Sequence, residues 1–178
     1  DLLEKHTDGF AAIILEPSGP EPPTMDFLQE VRELASTHKA VLIFDEIVTG
    51  FRMNIGGAQS EYGIVPDLAC FGKSMANGMP LSALVGRERI MCLMEKVFIS
   101  GTFGGELLSI AASIATIDKL TSSDALPKIR SLGNRLKHEL NSIFKMRSID
   151  NYLQIGGEDW RPVLKIDNVH VQKQLVVS

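Results

Sequence analysis

Two charged residues follow apolar, strand-like segments and could carry out chemistry. Lys73 stands between the stretch 67–72 and a Ser-Met-Ala-Asn-Gly-Met-Pro turn, so its amine is predicted to project from the end of a sheet. A lysine held near apolar groups and other cations loses its proton readily and can attack a carbonyl to form a Schiff base. The alternative is an exposed turn lysine without chemistry, since most lysines are exposed.

Asp45 directly follows the apolar run Val41-Leu42-Ile43-Phe44. A carboxylate in such a position needs a cationic partner, because an unpaired buried charge is strongly destabilising. Arg52 could be that partner in a purely structural ion pair. The functional alternative is the protonated nitrogen of a pyridine ring, which a fixed carboxylate keeps charged and therefore effective as an electron sink.

A third candidate is Gly101-Thr102, which precedes a predicted helix. Free backbone N–H groups, a hydroxyl and the positive end of a helix dipole are typical of a phosphate site. A simple capping turn explains the same residues, and an anion-binding α/β protein that does not use Lys73 is a further possibility. The spacing of Gly101, Gly104 and Gly105 does not match a dinucleotide-binding fingerprint.

A strand, a helix and a second strand must position Asp45. The run from Phe10 to Leu15 is typical of a strand buried on both faces, and Thr24 can cap a helix that ends near Lys39. With the strand at 41–44, this pattern predicts a parallel pair with a right-handed crossover. Glu16 and Asp45 should therefore lie together at the carboxyl ends of neighbouring strands.

The rest of the chain predicts further strands, two helices and a tail. Strands are expected at 67–72, 81–85 and 97–99, and an irregular loop at 50–66. A helix from about Glu106 to Leu120, rich in small residues, is predicted to be the most buried. The next helix starts near Asp124 and Pro127, and its basic face should be solvated: Lys128, Arg130, Arg135 and Lys137.

The tail is predicted to start a smaller domain, with residues 1–148 belonging to a large domain and 149–178 to the small one. Gly156-Gly157 and Trp160-Arg161-Pro162 are expected to interrupt two strand-like stretches, 163–166 and 169–171. The chain starts without methionine and ends within an apolar run, Val176-Val177-Ser178, which favours a fragment cut at both ends.

Composition excludes several classes of protein. The 178 residues carry 22 acidic against 18 basic side chains and a net charge of −4, so non-specific nucleic-acid binding is not expected. No apolar stretch approaches the roughly 20 residues of a membrane helix. Two cysteines without a framework indicate reduced thiols in the cytoplasm. The four histidines have no metal-ligand spacing, and no serine stands in a nucleophile elbow.

Five ordered motifs resemble the class III pyridoxal-phosphate aminotransferases, and within them the glutamate-1-semialdehyde aminomutase group. The resemblance extends from about Phe10 to Phe144 and rests on Glu16-Pro17, Phe44-Asp45-Glu46-Ile47-Val48-Thr49-Gly50-Phe51-Arg52, Pro66-Asp67-Leu68, Phe71-Gly72-Lys73 and Ser100-Gly101-Thr102. It implies an α/β fold: most of a fold-type I large domain, with a mostly parallel sheet flanked by helices and incomplete at both ends.

The resemblance also implies roles for individual residues. Lys73 matches the lysine that binds pyridoxal 5′-phosphate as a Schiff base and then moves a proton. Asp45 matches the carboxylate on the pyridinium nitrogen, and Ile47 the branched residue against the ring face. Gly101 and Thr102 match the segment that reaches the cofactor phosphate from the other subunit of a homodimer with a shared active site.

Departures from the family pattern concern the subgroup and the substrate. Val48 stands where many aminotransferases carry a glutamine, and an apolar residue there is similar to the aminomutase group. Glu21 is a candidate for a substrate-gating carboxylate. The family's phosphate-binding loop and ring-stacking aromatic residue would lie upstream of Asp1, and its groups that bind the substrate carboxylate downstream of Ser178.

The implied function is amino-group transfer on an amino acid, an amine or an amino-aldehyde, with the aminomutase reaction as the nearest variant. The alternative is a non-catalytic, truncated paralogue that docks on an intact subunit. The 178-residue chain alone is expected to be inactive.

Overall fold

The computed structural model describes Lys5 and residues 9–167. They belong to two compact units. The first contains the chain up to Gly19 together with Pro23–Ser123, and the second contains Pro20–Pro22 together with the chain from Asp124 onward. The predicted division at 148/149 concerns domains of the whole protein and stays a prediction.

The first unit is built on a four-stranded sheet in the order β1-β2-β3-β4. Strands β1 to β3 are parallel and β4 is antiparallel to β3. The mostly parallel α/β sheet that the sequence predicts is thereby confirmed. The elements in chain order are β1 (Ala12–Leu15), α1 (Met25–Thr37), β2 (Val41–Asp45), α2 (Gly57–Tyr62), β3 (Leu68–Phe71), a 3-10 turn (Lys73–Met75), β4 (Ala83–Gly86), α3 (Glu88–Met91), a second 3-10 turn (Cys92–Lys96) and α4 (Leu107–Thr121).

Helix α1 covers one face of the sheet. Thr24 caps it as predicted, because its hydroxyl accepts a hydrogen bond from Phe27 N at 3.3 Å. Leu28 on the helix and Phe44 on β2 are both fully buried in one apolar cluster. Since side chains alternate along a strand, Asp45 belongs to the opposite face of β2. The core therefore anchors β2 immediately before the residue that could do chemistry.

Four of the predictions about the first unit are wrong. Strand β1 is not buried on both faces, because it lies at an edge of the described sheet and Ile14 is 65% exposed. Residues 97–99 form no strand, and the loop 50–66 contains helix α2. Helix α4 is not the most buried helix: its buried residues are Ser109 and Ser113, while Leu107 is 78% exposed.

The second unit packs a long helix against a β-hairpin. The helix is α5 (Ala125–Met146), and the hairpin pairs β5 (Leu153–Glu158) with β6 (Arg161–Ile166). The Asn141 side chain donates to Ile155 O and accepts from Ile155 N, both at 2.9 Å. A Cβ on Gly133 would overlap the Asp159 carbonyl, so only glycine permits this close approach of helix and hairpin.

Two predictions about this unit also need correction. Gly156-Gly157 lies within β5 and does not interrupt a strand. Lys137 is not part of a solvated face, because it forms an ion pair with Asp159 at 2.7 Å and donates to Gly157 O at 2.8 Å. The predicted stretch 169–171 lies outside the described residues. Within them, no helix combines the length and apolarity that crossing a membrane requires.

Candidate active site

Asp45 lies at the carboxyl edge of the sheet. It is the last residue of β2 and pairs in register with Cys70 on β3, and Glu46 N continues the pairing with a 2.9 Å bond to Cys70 O. Ile47 N donates to Asp45 Oδ1 at 3.0 Å, which fixes the orientation of the carboxylate. Leu15 pairs with Phe44, so Glu16 follows β1 at the same edge, as predicted.

The pKa of the Cys70 thiol reflects its partial burial and the nearby charge of Asp45. Partial burial raises the pKa of Cys70 above its usual value, and the negative charge of Asp45 raises it further. Both effects disfavour a thiolate, so Cys70 is unsuited to act as a nucleophile here.

Lys73 stands two residues beyond the end of β3 in an unusual backbone conformation. Its φ of 39° lies in the left-handed region, which a lysine rarely adopts, and its side chain is exposed. The carbonyl of Lys73 accepts the Asn77 N–H at 3.0 Å, which closes a tight turn. Residues held in strained conformations cluster at functional sites, because the surrounding structure must stabilise them.

Ile47 and Gly72 connect the ends of the two strands. A Cβ on Gly72 would lie 3.7 Å from Ile47 Cγ2, so the isoleucine lies next to the backbone that immediately precedes Lys73. Because β2 and β3 are parallel, their carboxyl ends lie at one edge. The structure thus brings Asp45, Ile47 and Lys73 to the same part of the sheet, as the sequence predicts.

Gly101 and Thr102 line a cavity of about 630 Å³. Both are exposed, and Gly104 N donates to Gly101 O at 3.0 Å. Asp45, Ile47 and Lys73 do not line this cavity, whose walls are Pro80, Leu81, Ser82, Ile99, Ser100, Gly101, Thr102, Phe103, Gly104 and Gly105. Within the described chain, the predicted site residues therefore form two groups.

The helix terminus that was predicted to help bind a phosphate at Gly101-Thr102 is occupied by Glu106. Helix α4 begins at Leu107, and the Glu106 carboxylate accepts from Leu108 N at 2.8 Å and Ser109 N at 2.7 Å. The Ser109 hydroxyl and these N–H groups hold the pKa of Glu106 below its usual value. A phosphate at Gly101-Thr102 would thus rely on the turn and the Thr102 hydroxyl, not on the α4 dipole.

Glu46 is a central residue that the sequence analysis missed. Its side chain is fully buried and accepts hydrogen bonds from the Thr49 hydroxyl, Ala58 N at 2.8 Å and Gln59 N at 2.9 Å. A Cβ on Gly57 would lie only 2.6 Å from Glu46 Cδ, and the φ of Gly57 is +76°. No local spacing in the sequence marks this contact, because its backbone donors on α2 lie 12 and 13 residues beyond Glu46.

Asp67, in the Pro66-Asp67-Leu68 motif, links strands β2 and β3. It is 2% exposed, accepts from Leu42 N at 3.0 Å, and forms ion pairs with Arg32, Arg87 and Arg89 at 2.9, 3.1 and 3.3 Å. Burial alone would raise its pKa, but the bonds from Leu42 and Arg32 and the charges of Arg32 and Arg87 together lower it. Asp67 thus fastens the start of β3 to β2.

Glu21, the candidate for a gating carboxylate, belongs to the second unit. It forms an exposed ion pair with Lys165 at 2.7 Å, and the hydrogen bond and charge of Lys165 lower the pKa of Glu21. This contact gives Glu21 a partner of its own and adds no support for the gating role.

Comparisons with known proteins identify the family. The model of the class-III aminotransferases matches residues 1–155. The chain belongs to this family. Among its relatives is the glutamate-1-semialdehyde 2,1-aminomutase of Methanococcoides burtonii, which is 37% identical over 88% of this chain and 38% of the relative. The 3-aminobutyryl-CoA aminotransferase of Cloacimonas acidaminovorans is also 37% identical, over 98% of this chain and 44% of that protein.

Solved structures agree with this assignment. The FumI protein of Sphingopyxis sp. MTA144, in its PLP internal aldimine form, superposes with a TM-score of 0.86 at 25% identity over 94% of this chain and 42% of that chain. The β-phenylalanine aminotransferase of Variovorax paradoxus gives a TM-score of 0.74 at 32% identity, over 88% and 38%. The predicted family, fold and cofactor class are confirmed. The chain spans less than half the length of the curated relatives it matches.

Proposed function

We propose that the protein carrying this chain catalyses pyridoxal-phosphate-dependent amino-group transfer, with Lys73 as the residue that binds the cofactor as a Schiff base. The observation that carries this proposal is that an acid and a lysine come at the ends of two neighbouring parallel strands, at one edge of the sheet. Asp45 ends β2, and Lys73 follows its parallel neighbour β3 in a left-handed conformation.

The residues at this edge fit the cofactor. Asp45 has a carboxylate oriented by Ile47 N and could hold a pyridine nitrogen in its protonated form. Ile47 lies beside Gly72, where an apolar side chain can pack against a flat ring. Bound pyridoxal phosphate supplies the electron sink that stabilises a carbanion, and the protein supplies position and charge.

Lys73 would have two tasks in this reaction. Its Nζ would hold the cofactor covalently, and once a substrate amine replaces it, the same amine could move a proton between substrate and cofactor. The tight turn closed by the Asn77 N–H holds the backbone of Lys73, while the exposed side chain remains free to change direction. A fixed backbone and a free amine suit both tasks.

We further propose a homodimer in which Gly101 and Thr102 bind the cofactor phosphate in the partner subunit's site. Two observations support this: Lys73 is not among the residues that line the cavity of Gly101 and Thr102, and the segment around them exposes large apolar side chains. Phe98 is 93% exposed and Phe103 57%. Exposed apolar patches of this kind mark interaction surfaces.

The substrate is proposed as a small molecule, either an amino acid, an amine or an amino-aldehyde, in an amino-group transfer between two molecules or within one. An aminomutase and an aminotransferase match this chain at the same 37% identity, so identity does not choose between the two reactions. A cytoplasmic location also stays a prediction.

The same exposed apolar surface favours a second candidate, a non-catalytic module that docks on an intact subunit. Reconstitution with pyridoxal phosphate separates the two. The catalytic proposal requires the complete protein to show a Schiff-base absorbance and amine-dependent turnover, whereas a docking module shows neither. The isolated 178-residue chain is expected to show neither.

Borohydride reduction in the presence of pyridoxal phosphate, followed by peptide mapping, tests the central assignment. Label is expected on Lys73 and should disappear in Lys73→Ala. Lys39→Ala is the matched control, because Lys39 is also an exposed lysine with a left-handed backbone (φ 56°) but follows helix α1. Label at Lys39 or at another lysine would overturn the assignment.

Substitution of Asp45 and Arg52 tests the role of the acid. Asp45→Asn is expected to retain the fold and lose at least about tenfold in turnover, because the ring nitrogen is no longer kept protonated. Arg52→Gln should leave turnover unchanged. Unchanged turnover in Asp45→Asn, or an equal loss of stability in both variants without loss of turnover, would favour the structural ion pair instead.

A further inference from the structure

We infer that Glu46 is a positioning residue for the cofactor pocket, an inference that rests on the proposed function. Glu46 is fully buried, and its side chain bonds to Thr49, Ala58 and Gln59 and not to the residues proposed to bind the cofactor. Its role is to hold the backbone on both sides of Ile47. The structure shows this in the donors that the glutamate satisfies and in the segments to which those donors belong.

Both oxygens of the Glu46 side chain have two donors. Oε2 accepts from the Thr49 hydroxyl and from Ala58 N at 2.8 Å. Oε1 accepts from Gln59 N at 2.9 Å and, more weakly, from Gln59 Nε2 at 3.4 Å. One side chain thus links the end of β2, the turn that follows it and the first turn of α2.

The backbone of Glu46 adds two further links. Its N–H donates to Cys70 O at 2.9 Å, and its carbonyl accepts from Gly50 N at 2.8 Å. Ile47 therefore lies in a short turn whose two ends, Glu46 and Gly50, are held by these hydrogen bonds. Since Ile47 N orients Asp45 and the Ile47 side chain lies beside Gly72, any movement of this turn would reach both the acid and the backbone before Lys73.

A glutamine at position 46 cannot replace this arrangement. The Thr49 hydroxyl can rotate and accept from an amide, but the backbone N–H groups of Ala58 and Gln59 can only donate. Whichever way the amide is turned, one of these N–H groups faces another donor and loses its acceptor. The turn should therefore shift while the charge and packing volume elsewhere stay the same.

The test measures cofactor binding to the apo form of the complete protein. Glu46→Gln is expected to weaken pyridoxal phosphate binding at least about tenfold and to shift the pH at which the absorbance of the bound cofactor changes, because Asp45 is no longer held in place. Gln59→Ala is the matched control: it keeps the backbone donor, removes only the 3.4 Å contact, and should bind the cofactor as the wild type does.

A second pair of variants keeps the test decisive if Glu46→Gln does not fold. Thr49→Ser retains the hydroxyl and should keep the cofactor affinity and the pH titration of the wild type. Thr49→Val removes the hydroxyl and should weaken cofactor binding. If Glu46 were merely structural, the substitutions would lower the melting temperature without changing the cofactor affinity or the pH titration. That result would overturn the inference. Wild-type protein without borohydride label on Lys73 would instead overturn the proposed function.

Discussion

The two groups of predicted site residues differ in what holds them in place. Asp45, Ile47 and the backbone before Lys73 are fixed by strand pairing and by the buried side chain of Glu46. The segment with Gly101 and Thr102 lies among exposed apolar side chains, with Ile99 64% exposed and Leu107 78% exposed. The first group is built by the chain itself, while the second presents an apolar surface to its surroundings.

This difference shows that apolar sequence does not always mean burial within the same chain. Helix α4 has the small and apolar residues of an interior helix, yet its apolar side is largely exposed here. Burial of such a side chain is favourable by roughly 1.5–3 kcal/mol, so an exposed cluster is a strong driving force for association. The internally held group should therefore respond to core substitutions, and the exposed group to changes in association.

The largest effect is expected from Asp67, which fastens two strands of the internally held group. Asp67→Asn should lower the free energy of unfolding at pH 7 by about 3 kcal/mol, at the low end for a broken buried ion pair because two of the three arginine side chains are more than half exposed. Urea unfolding measures this loss. Asp67→Glu is the charge-preserving control. Any decrease in its free energy of unfolding would come from the altered position of the carboxylate alone.

The pH dependence of the same variant has a definite sign. The folded-state pKa of Asp67 is lowered: burial would raise it, but the bonds and charges of Leu42, Arg32 and Arg87 outweigh burial. The stabilisation is therefore complete above the unfolded-chain pKa of about 4 and is lost as the pH falls through the lower folded-state pKa. The difference between wild type and Asp67→Asn should shrink below about pH 4, and a constant difference would contradict the assigned charge interaction.

A smaller effect is expected from the glycine that contacts Glu46. Gly57→Ala should destabilise the protein by about 1–2 kcal/mol more than Gly63→Ala. The new Cβ at position 57 would displace the Glu46 carboxylate, which is the buried acceptor of two backbone N–H groups. Gly63 is the matched control: its φ is +69° against +76° for Gly57, but a Cβ there meets nothing within 4 Å. Equal losses in denaturant unfolding would show that Glu46 moves aside at no cost.

Much of the internally held group could be predicted from the sequence. The apolar runs before Asp45 and Lys73 are short and bounded, and a capped helix separates the first strand from the second, so strand order and the common edge follow from local pattern. The resemblance then assigned the family, and the comparisons confirm it. Glu46 was missed because its partners lie up to 13 residues away on a helix that glycine-rich residues concealed.

The exposed group shows where sequence reasoning fails. The run at 97–99 has the apolarity of a strand but finds no pairing partner among the described strands. The small residues of α4 likewise favour an interior helix, although the described chain leaves Ile114 57% exposed. Periodicity identifies an apolar face, but it carries no information on whether the same chain or another molecule covers that face.

The smallest effect on folding is therefore expected on α4. Leu107→Ala should change the free energy of unfolding by less than about 0.5 kcal/mol at low protein concentration, as for an exposed site. Leu28→Ala is the matched control, a leucine-to-alanine change in a helix at a fully buried position, and should cost about 2–5 kcal/mol. Equal losses would show that the α4 face is buried within the chain.

Substitutions at Leu107 and Leu28 should have the opposite order of effects on self-association. Leu107→Lys places a charge on the exposed apolar surface and should weaken self-association of the complete protein, as measured by sedimentation equilibrium, while Leu28→Ala should leave the dissociation constant of the folded protein unchanged. If Leu107→Lys associates as tightly as the wild type, α4 lies outside the interface. The proposed placement of Thr102 in the partner subunit's site would then lose its main support, because α4 begins only five residues after Thr102.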